Sequence, residues 1–228
     1  MLLIADMKLK RGRDLADMMR WMGIVAVAAK PMDALGELNH SVSALLVVNP
    51  NGLPDAEDYI NRARAYARTL PIFALLEEGE NNSLEHLFLG TFKSNIMTST
   101  LIEGIRAQQM TRGQRPLGDY VFAGIDASCT HDEILYHANT ISMTSRQKMI
   151  LRYLFCTYPT RVCPEMIAKH IYRPGTEPES SCIRAHICAI NKKLSPYLGR
   201  PIIDSMRSAG YRILTSEVLR RREKGIVD

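Results

Sequence analysis

Between residues 1 and 109 the chain alternates short, nearly continuous apolar runs with segments whose apolar residues recur at helical spacing. Met1–Ala5, Ile24–Ala29, Ala44–Val48 and Pro71–Leu76 are runs of strand length, and a fifth, shorter strand is placed around Phe92–Met97. Between them, Arg13–Gly23 carries Leu15, Met18, Met19 and Met22, and Asp55–Thr69 steps through Ile60, Ala63, Tyr66 and Ala67. Pro31–Leu38, Ser83–Leu89 and Thr100–Gln109 complete five expected helices. Strands covered on both faces read as unbroken apolar runs, and parallel neighbours need crossovers, which the helices supply. The alternation therefore predicts a doubly wound α/β unit with five parallel strands. Asn51-Gly52 would suit a hairpin turn, but the helical spacing after it excludes that reading. Asp55, following Pro54, stands where a helix N-cap is expected.

Residues 110–118, polar and interrupted by glycine and proline, read as a linker. Beyond it, Asp119–Asp126 and Glu133–Ile141 read as short strands, followed by helices over Ser145–Cys156, Pro164–Tyr172 and Pro178–Leu194. Pro201–Ser205 and Gly210–Leu214 bracket a tight turn as a two-stranded hairpin would. Three helices and a hairpin are the order of an α+β winged helix-turn-helix unit. The expected organisation is thus 1–109, a linker at 110–118, a second domain at 119–215, and a basic tail at 216–228 containing Arg220-Arg221-Arg222.

The 228 residues are 46% hydrophobic and 23% charged, a globular balance. No apolar run approaches membrane-spanning length, and the first residues are strand-like rather than a cleavable leader, so a soluble cytoplasmic protein with no membrane partner is expected. Five cysteines form no Cys-x-x-Cys pair, which fits a reducing compartment. A zinc set from Cys156, Cys163, His170 and Cys182 matches no finger spacing, and small core thiols are the plainer reading. No nucleophile–base set or glycine-rich phosphate loop appears at usable spacing, so neither an enzymatic reaction nor a cofactor is expected.

Charge is unevenly divided. Of 29 Lys+Arg and 24 Asp+Glu, residues 1–110 hold 11 and 13, net −2, and residues 111–228 hold 18 and 11, net +7. A polyanionic partner for the second half, or a basic solvated surface, accounts equally for this asymmetry. In the third helix of that half, Ile183, Ile187, Ile190 and Leu194 form one apolar stripe. The other side offers Ser181, Arg184, Cys188, Asn191 and Lys192. Such a helix can enter a major groove, although an ordinary amphipathic helix has the same pattern. Arg207, at the centre of the hairpin tip, suits a phosphate or a narrow minor groove.

Three segments carry a family resemblance: ISMTSRQKMILRYL (141–154), IRAHICAINKKL (183–194) and IIDSMRSAGYRI (202–213). In order and spacing, residues 119–214 resemble the winged-helix effector domain of OmpR/PhoB-type response regulators. The resemblance implies an N-terminal four-stranded antiparallel sheet, three helices and a C-terminal hairpin, with double-stranded DNA as partner. Carried over, His186, Asn191 and Lys192 are expected contacts from the recognition helix and Arg207 from the wing; Ser181, Arg184 and Cys188, from the helix spacing, and Arg212 complete the expected DNA-binding set. Family recognition helices usually carry Arg or Lys where this chain has Cys188, Ala189 and Asn191, so bidentate guanine readout is lacking there.

The first half is similar to a receiver domain, the phosphorylatable partner of such effectors. A working receiver needs an acidic pair after strand one for Mg²⁺, an aspartate after strand three, a hydroxyl after strand four and a lysine near strand five. Here the matching positions are Asp6 alone, Asn49, Leu76 (with Glu77 and Glu78 following) and Lys93. An amide cannot form a stable acyl phosphate, and one carboxylate is a poor hard-cation site. The resemblance also implies a homodimer through Leu87, Phe88, Leu101 and Ile105, although packing on the sheet is the plainer reading for at least half of them. The expectation is a transcription regulator that does not depend on phosphorylation. Two other readings stay open: a phospho-switch using a displaced acid such as Asp55 or Asp58, or an adaptor that binds RNA polymerase or another regulator.

Overall fold

The computed structural model describes residues 1–79, 83–129, 133–137, 139–173, 175–206 and 209–214. Arg207 and the basic tail lie outside the described residues. The chain divides into two units, Met1–Gly118 and Asp119–Asp228.

In the first unit, β1 (Leu2–Asp6), β2 (Ala26–Ala29), β3 (Ala44–Val48), β4 (Ile72–Leu76) and β5 (Gly90–Lys93) form one parallel sheet in the order β2-β1-β3-β4-β5. Every residue of β1, β3 and β4 is buried, which is why these strands read as unbroken apolar runs. The crossovers are α1 (Leu9–Trp21), α2 (Pro31–Gly36) and α3 (Ala56–Tyr66), and α4 (Thr98–Thr111) follows β5. Asp55 is the N-cap of α3, its carboxylate accepting the Asp58 N–H at 3.1 Å.

Three expectations change. The helix expected from Arg13 begins at Leu9, despite a basic first turn that opposes the helix dipole. Asp6 compensates by accepting the Lys8 N–H at 2.8 Å and pairing with Arg11. The helix expected over Ser83–Leu89 is a single 3-10 turn, Glu85–Leu87. Sheet pairing takes the end of this segment: Leu89 N–H bonds the Ile72 carbonyl at 2.7 Å and β5 starts at Gly90, so the expected helix cannot run to Leu89. Finally, residues 110–118 are tied to the first unit. Gln109 accepts the Leu117 N–H at 2.7 Å, Arg106 donates to the Leu117 carbonyl at 2.7 Å, and Gln114 donates to the Thr69 carbonyl at 2.9 Å.

The second unit opens with a four-stranded antiparallel sheet, β6 (Val121–Phe122), β7 (Ile125–Asp126), β8 (Ile134–Tyr136) and β9 (Asn139–Ile141). Asp119–Asp126 is thus a hairpin rather than one strand, because Ala123 and Gly124 both take positive φ and reverse the chain. Glu133–Ile141 is likewise reversed near His137, at φ 51°. Next come α5 (Ser145–Thr157), α6 (Pro164–Ile171), α7 (Ser180–Leu198) and a hairpin of β10 (Ile203–Met206) with β11 (Gly210–Ile213). A capping box between Thr144 and Gln147 starts α5. Gly210 is required where it stands: its φ is +85°, and a Cβ there would lie 2.2 Å from the Val162 carbonyl oxygen. Tyr211 is buried beside it and exchanges two 2.9 Å backbone hydrogen bonds with Val162.

Candidate functional site

Asp6, Asn49, Leu76 and Lys93 all fall at the carboxyl edge of the first sheet, where α/β folds place their ligands. Register puts Asp6 beside Val48, Val48 beside Leu75, and Leu76 beside Lys93. The side chains then diverge. Leu76 packs into the core at 4% exposure, so it is a core residue and not part of the site, and the next residue, the partly exposed Glu77, meets Arg11 instead. Lys93 ends β5 in an exposed position.

The centre of the cluster is Arg11. Its Nε and Nη2 donate to the two Asp6 oxygens at 2.8 and 2.9 Å, a bidentate pair, and Nη1 donates to Glu77 at 2.6 Å. Asp6 is fully buried and accepts the Lys8 N–H as well. Gly12 lets α1 come this near: a Cβ there would stand 3.0 Å from the Asp6 Cβ. The hydrogen bond to Asp6 raises the Arg11 pKa above its already high ordinary value, so its charge is permanent. The hydrogen bond from Arg11, with the charge of Lys8 and a further bond from Asn49, holds the Glu77 carboxyl below its usual range.

Asn49 takes the left-handed conformation at φ 49° and donates its N–H to the Leu75 carbonyl at 2.8 Å. Its side-chain Oδ1 is buried without a hydrogen-bond partner among the described residues. The residues present do not fit Mg²⁺, which wants near-octahedral oxygen ligands. Both Asp6 oxygens and one Glu77 oxygen are already engaged by a fixed cation, and position 49 supplies an amide. Asp55 is spent on its cap, and Asp58 faces Arg62 at 3.9 Å. Among the described residues no three His, Cys, Asp or Glu side chains gather to hold a metal. His170 is buried, its Nδ1 2.7 Å from the Met166 carbonyl and its ring stacked on Tyr153.

In the second unit, Ile183, Ile187, Ile190 and Leu194 are the buried residues of α7, as the stripe predicts. Ser181, Arg184, Cys188 and Lys192 are exposed on it. His186 is half-buried, its Nε2 3.4 Å from the Tyr172 hydroxyl. Asn191 is a correction: its amide is consumed inside the unit. Nδ2 donates to the Ile203 carbonyl at 2.9 Å, and Oδ1 accepts the Ile202 and Ile203 N–H groups at 3.1 and 2.9 Å. It clamps the hairpin to α7 rather than facing a groove. Arg212 is likewise engaged, its Nε 3.6 Å from Asp204, which Arg161 also pairs.

Leu87, Phe88, Leu101 and Ile105 are a second correction, since all four are buried within the unit. They pack the core and present no face to a second copy. Sequence reasoning missed Arg11, and noted Glu77 after Leu76 without its role. The signal was an arginine five residues after a lone buried acid, with a glutamate directly after β4. Among the described residues no helix is long and apolar enough to cross a membrane.

No protein-family model matches the chain, and a search of curated proteins finds no match. Among solved structures the chain is similar to one of a family described as redox sensors in the streptococci evolved from two-component response regulators. There the identity is 14% and the TM-score 0.41, over 94% of this chain and 99% of that one. It is similar to DrrB, an OmpR/PhoB homolog from Thermotoga maritima, at 13% identity and TM-score 0.42, over 94% and 98%. Over 41% of this chain and 96% of the other, it is similar to the DNA-binding domain of the response regulator AdeR in complex with an intercistronic region, at 14% and 0.38. At these values the likeness adds no weight to the fold, which rests on the chain's own strand order and element order.

Proposed function

We propose that the chain is a DNA-binding transcription regulator of response-regulator type whose receiver-like unit acts without phosphoryl transfer. The observation that carries this is Arg11, fixed on Asp6 and Glu77 where a divalent cation would have to sit, next to an amide at position 49. A phosphoryl group there would meet neither a nucleophile nor a metal. The second unit supports DNA as partner through the net +5 charge of residues 119–228 and through α7, held on a buried stripe and exposing Arg184 and Lys192. As a winged helix, it would lay α7 in the major groove and use the hairpin on the backbone. Two copies would place two such helices on repeated half-sites, so a homodimer belongs to this reading, through a surface other than the four core residues above.

Titration of a fluorescent duplex at several salt concentrations tests it. With about 4–6 phosphate contacts per protomer, log K falls against log salt with a slope of about −4 to −5. Absence of salt-sensitive binding, with a protein partner such as RNA polymerase retained instead, sinks the reading in favour of an adaptor.

A further inference from the structure

The outer face of α1 leaves large apolar side chains in solvent. Trp21 is 81% exposed, and Met18, one turn earlier, and Met22 are both nearly half-exposed. The start of α4 adjoins them: the Thr98 hydroxyl donates to the Met18 sulfur at 3.7 Å, and the neighbouring Met97 is 73% exposed. Together the four side chains offer about 500 Å² of apolar surface, within the range where an exposed patch marks an interaction site. Trp and Met are also the residue types enriched where proteins meet.

Three features fit this face to a second copy of itself. The first is spacing. Asp14, Met18 and Trp21 stand at i, i+4 and i+7, on one stripe of α1, and all three are exposed. In an antiparallel apposition about a two-fold axis at Met18, Trp21 lies about 4.5 Å beyond the axis along one helix, and Asp14 of the other copy about 6 Å. The two therefore meet on both sides of the axis, and the indole N–H gains the acceptor that a covered tryptophan needs. The second is charge. The first turns of α1 are basic, and Lys10 and Arg13 are exposed with no ion pair among the described residues. Antiparallel apposition sets them over the negative, C-terminal end of the other α1, which offsets their repulsion by the positive end of their own. The third is area: two copies remove about 1,000 Å² from the apolar side chains alone, the lower bound of a specific interface before its polar rim is added. We propose that the α1 face, with Met97 at its edge, is the homodimer surface, an isologous contact centred on Met18. The need for two copies comes from the regulator reading above, on which this inference rests, but the surface belongs to the first unit alone.

Sedimentation velocity of the full chain without DNA, from about 1 to 100 μM, tests the surface. A monomer–dimer equilibrium with a Kd of about 10 μM or tighter is expected. Trp21 is the only tryptophan, so its fluorescence emission shifts to the blue over the same concentrations. Trp21→Ser weakens dimerisation by about tenfold or more. Met18→Arg and Met18→Glu each set like charges against one another at the axis and abolish it, whereas the two variants mixed in equal amounts form a heterodimer. Both substitutions are at an exposed position, so circular dichroism stays that of the natural chain. Tyr66→Arg, on α3, which packs against α2, leaves the dimer intact. The proposal is overturned by a monomer throughout the range, or by a dimer that Met18→Arg leaves intact. It is also overturned if the emission stays unshifted as the dimer forms, or if the mixed variants fail to associate. A dimer without salt-sensitive duplex binding would sink the DNA reading and leave this surface standing. Duplex binding by a chain that stays monomeric would do the reverse.

Discussion

Arg11 and Asp6 form a pair in which one partner is fully buried and the other one-third exposed. Removing the guanidinium leaves a carboxylate with no countercharge in the core, which is far costlier than never having had the pair. Arg11→Ala should therefore lower unfolding free energy by about 2–4 kcal/mol, allowing for solvent screening on the arginine side. Urea titration of the variant measures it, and a loss below about 1 kcal/mol would mean that the pair is incidental. Glu77 adds a pH dependence. Its carboxyl is held below the usual value of 4.5, chiefly by the hydrogen bond from Arg11, so its contribution is present above that value and is lost as pH falls through the lower folded value. Glu77→Gln should flatten the acid limb of the stability profile, and an unchanged limb would contradict the assignment. At position 49, an aspartate would replace a donor to Glu77 with a like charge. Asn49→Asp should destabilise the fold without gaining a phosphate from a small phosphodonor and Mg²⁺, read by intact mass.

α7 joins two roles that its sequence alone does not separate. Asn191 and Lys192 are adjacent, polar and both plausible groove contacts, yet Asn191 makes three hydrogen bonds to the start of the hairpin and Lys192 is exposed. Asn191→Ala should cost about 2–3 kcal/mol of stability, since the Ile202 and Ile203 backbone groups lose their partner. Lys192→Ala should leave stability unchanged and make the DNA salt slope shallower by about 0.9. Thermal unfolding beside a DNA titration distinguishes the two, and the reverse pattern would move Asn191 back to the interface. The strands, helix order and buried stripe of α7 were legible because burial writes a period into the sequence. Three features were not. The β4–β5 crossover lost its helix to strand pairing. The two hairpins of the small sheet turn at positive φ on Ala123-Gly124 and near His137; Gly124 is a turn signal inside an apolar stretch, whereas His137 carries none. The ends of polar side chains were hidden because a spacing pattern gives the face of a helix, and not the partner that a long side chain reaches. Arg11, Glu77 and Asn191 are all of this kind, and so is Leu76, where a one-residue shift at the end of β4 exchanges a core position for the site.

The whole molecule combines a sheet edge whose cation is built in with a basic unit that presents a helix. A dimer is expected on the repeated half-sites of such a regulator. Sedimentation with and without duplex DNA should show two protomers per site. The Leu87, Phe88, Leu101 and Ile105 cluster should respond to substitution as a core, with unfolding rather than clean dissociation. The most direct test of the central claim is the duplex-binding isotherm, recorded with and without acetyl phosphate and Mg²⁺. The account predicts steeply salt-dependent binding with superimposable isotherms in the two conditions. Salt-insensitive or absent binding would contradict it, and so would an isotherm that the phosphodonor shifts.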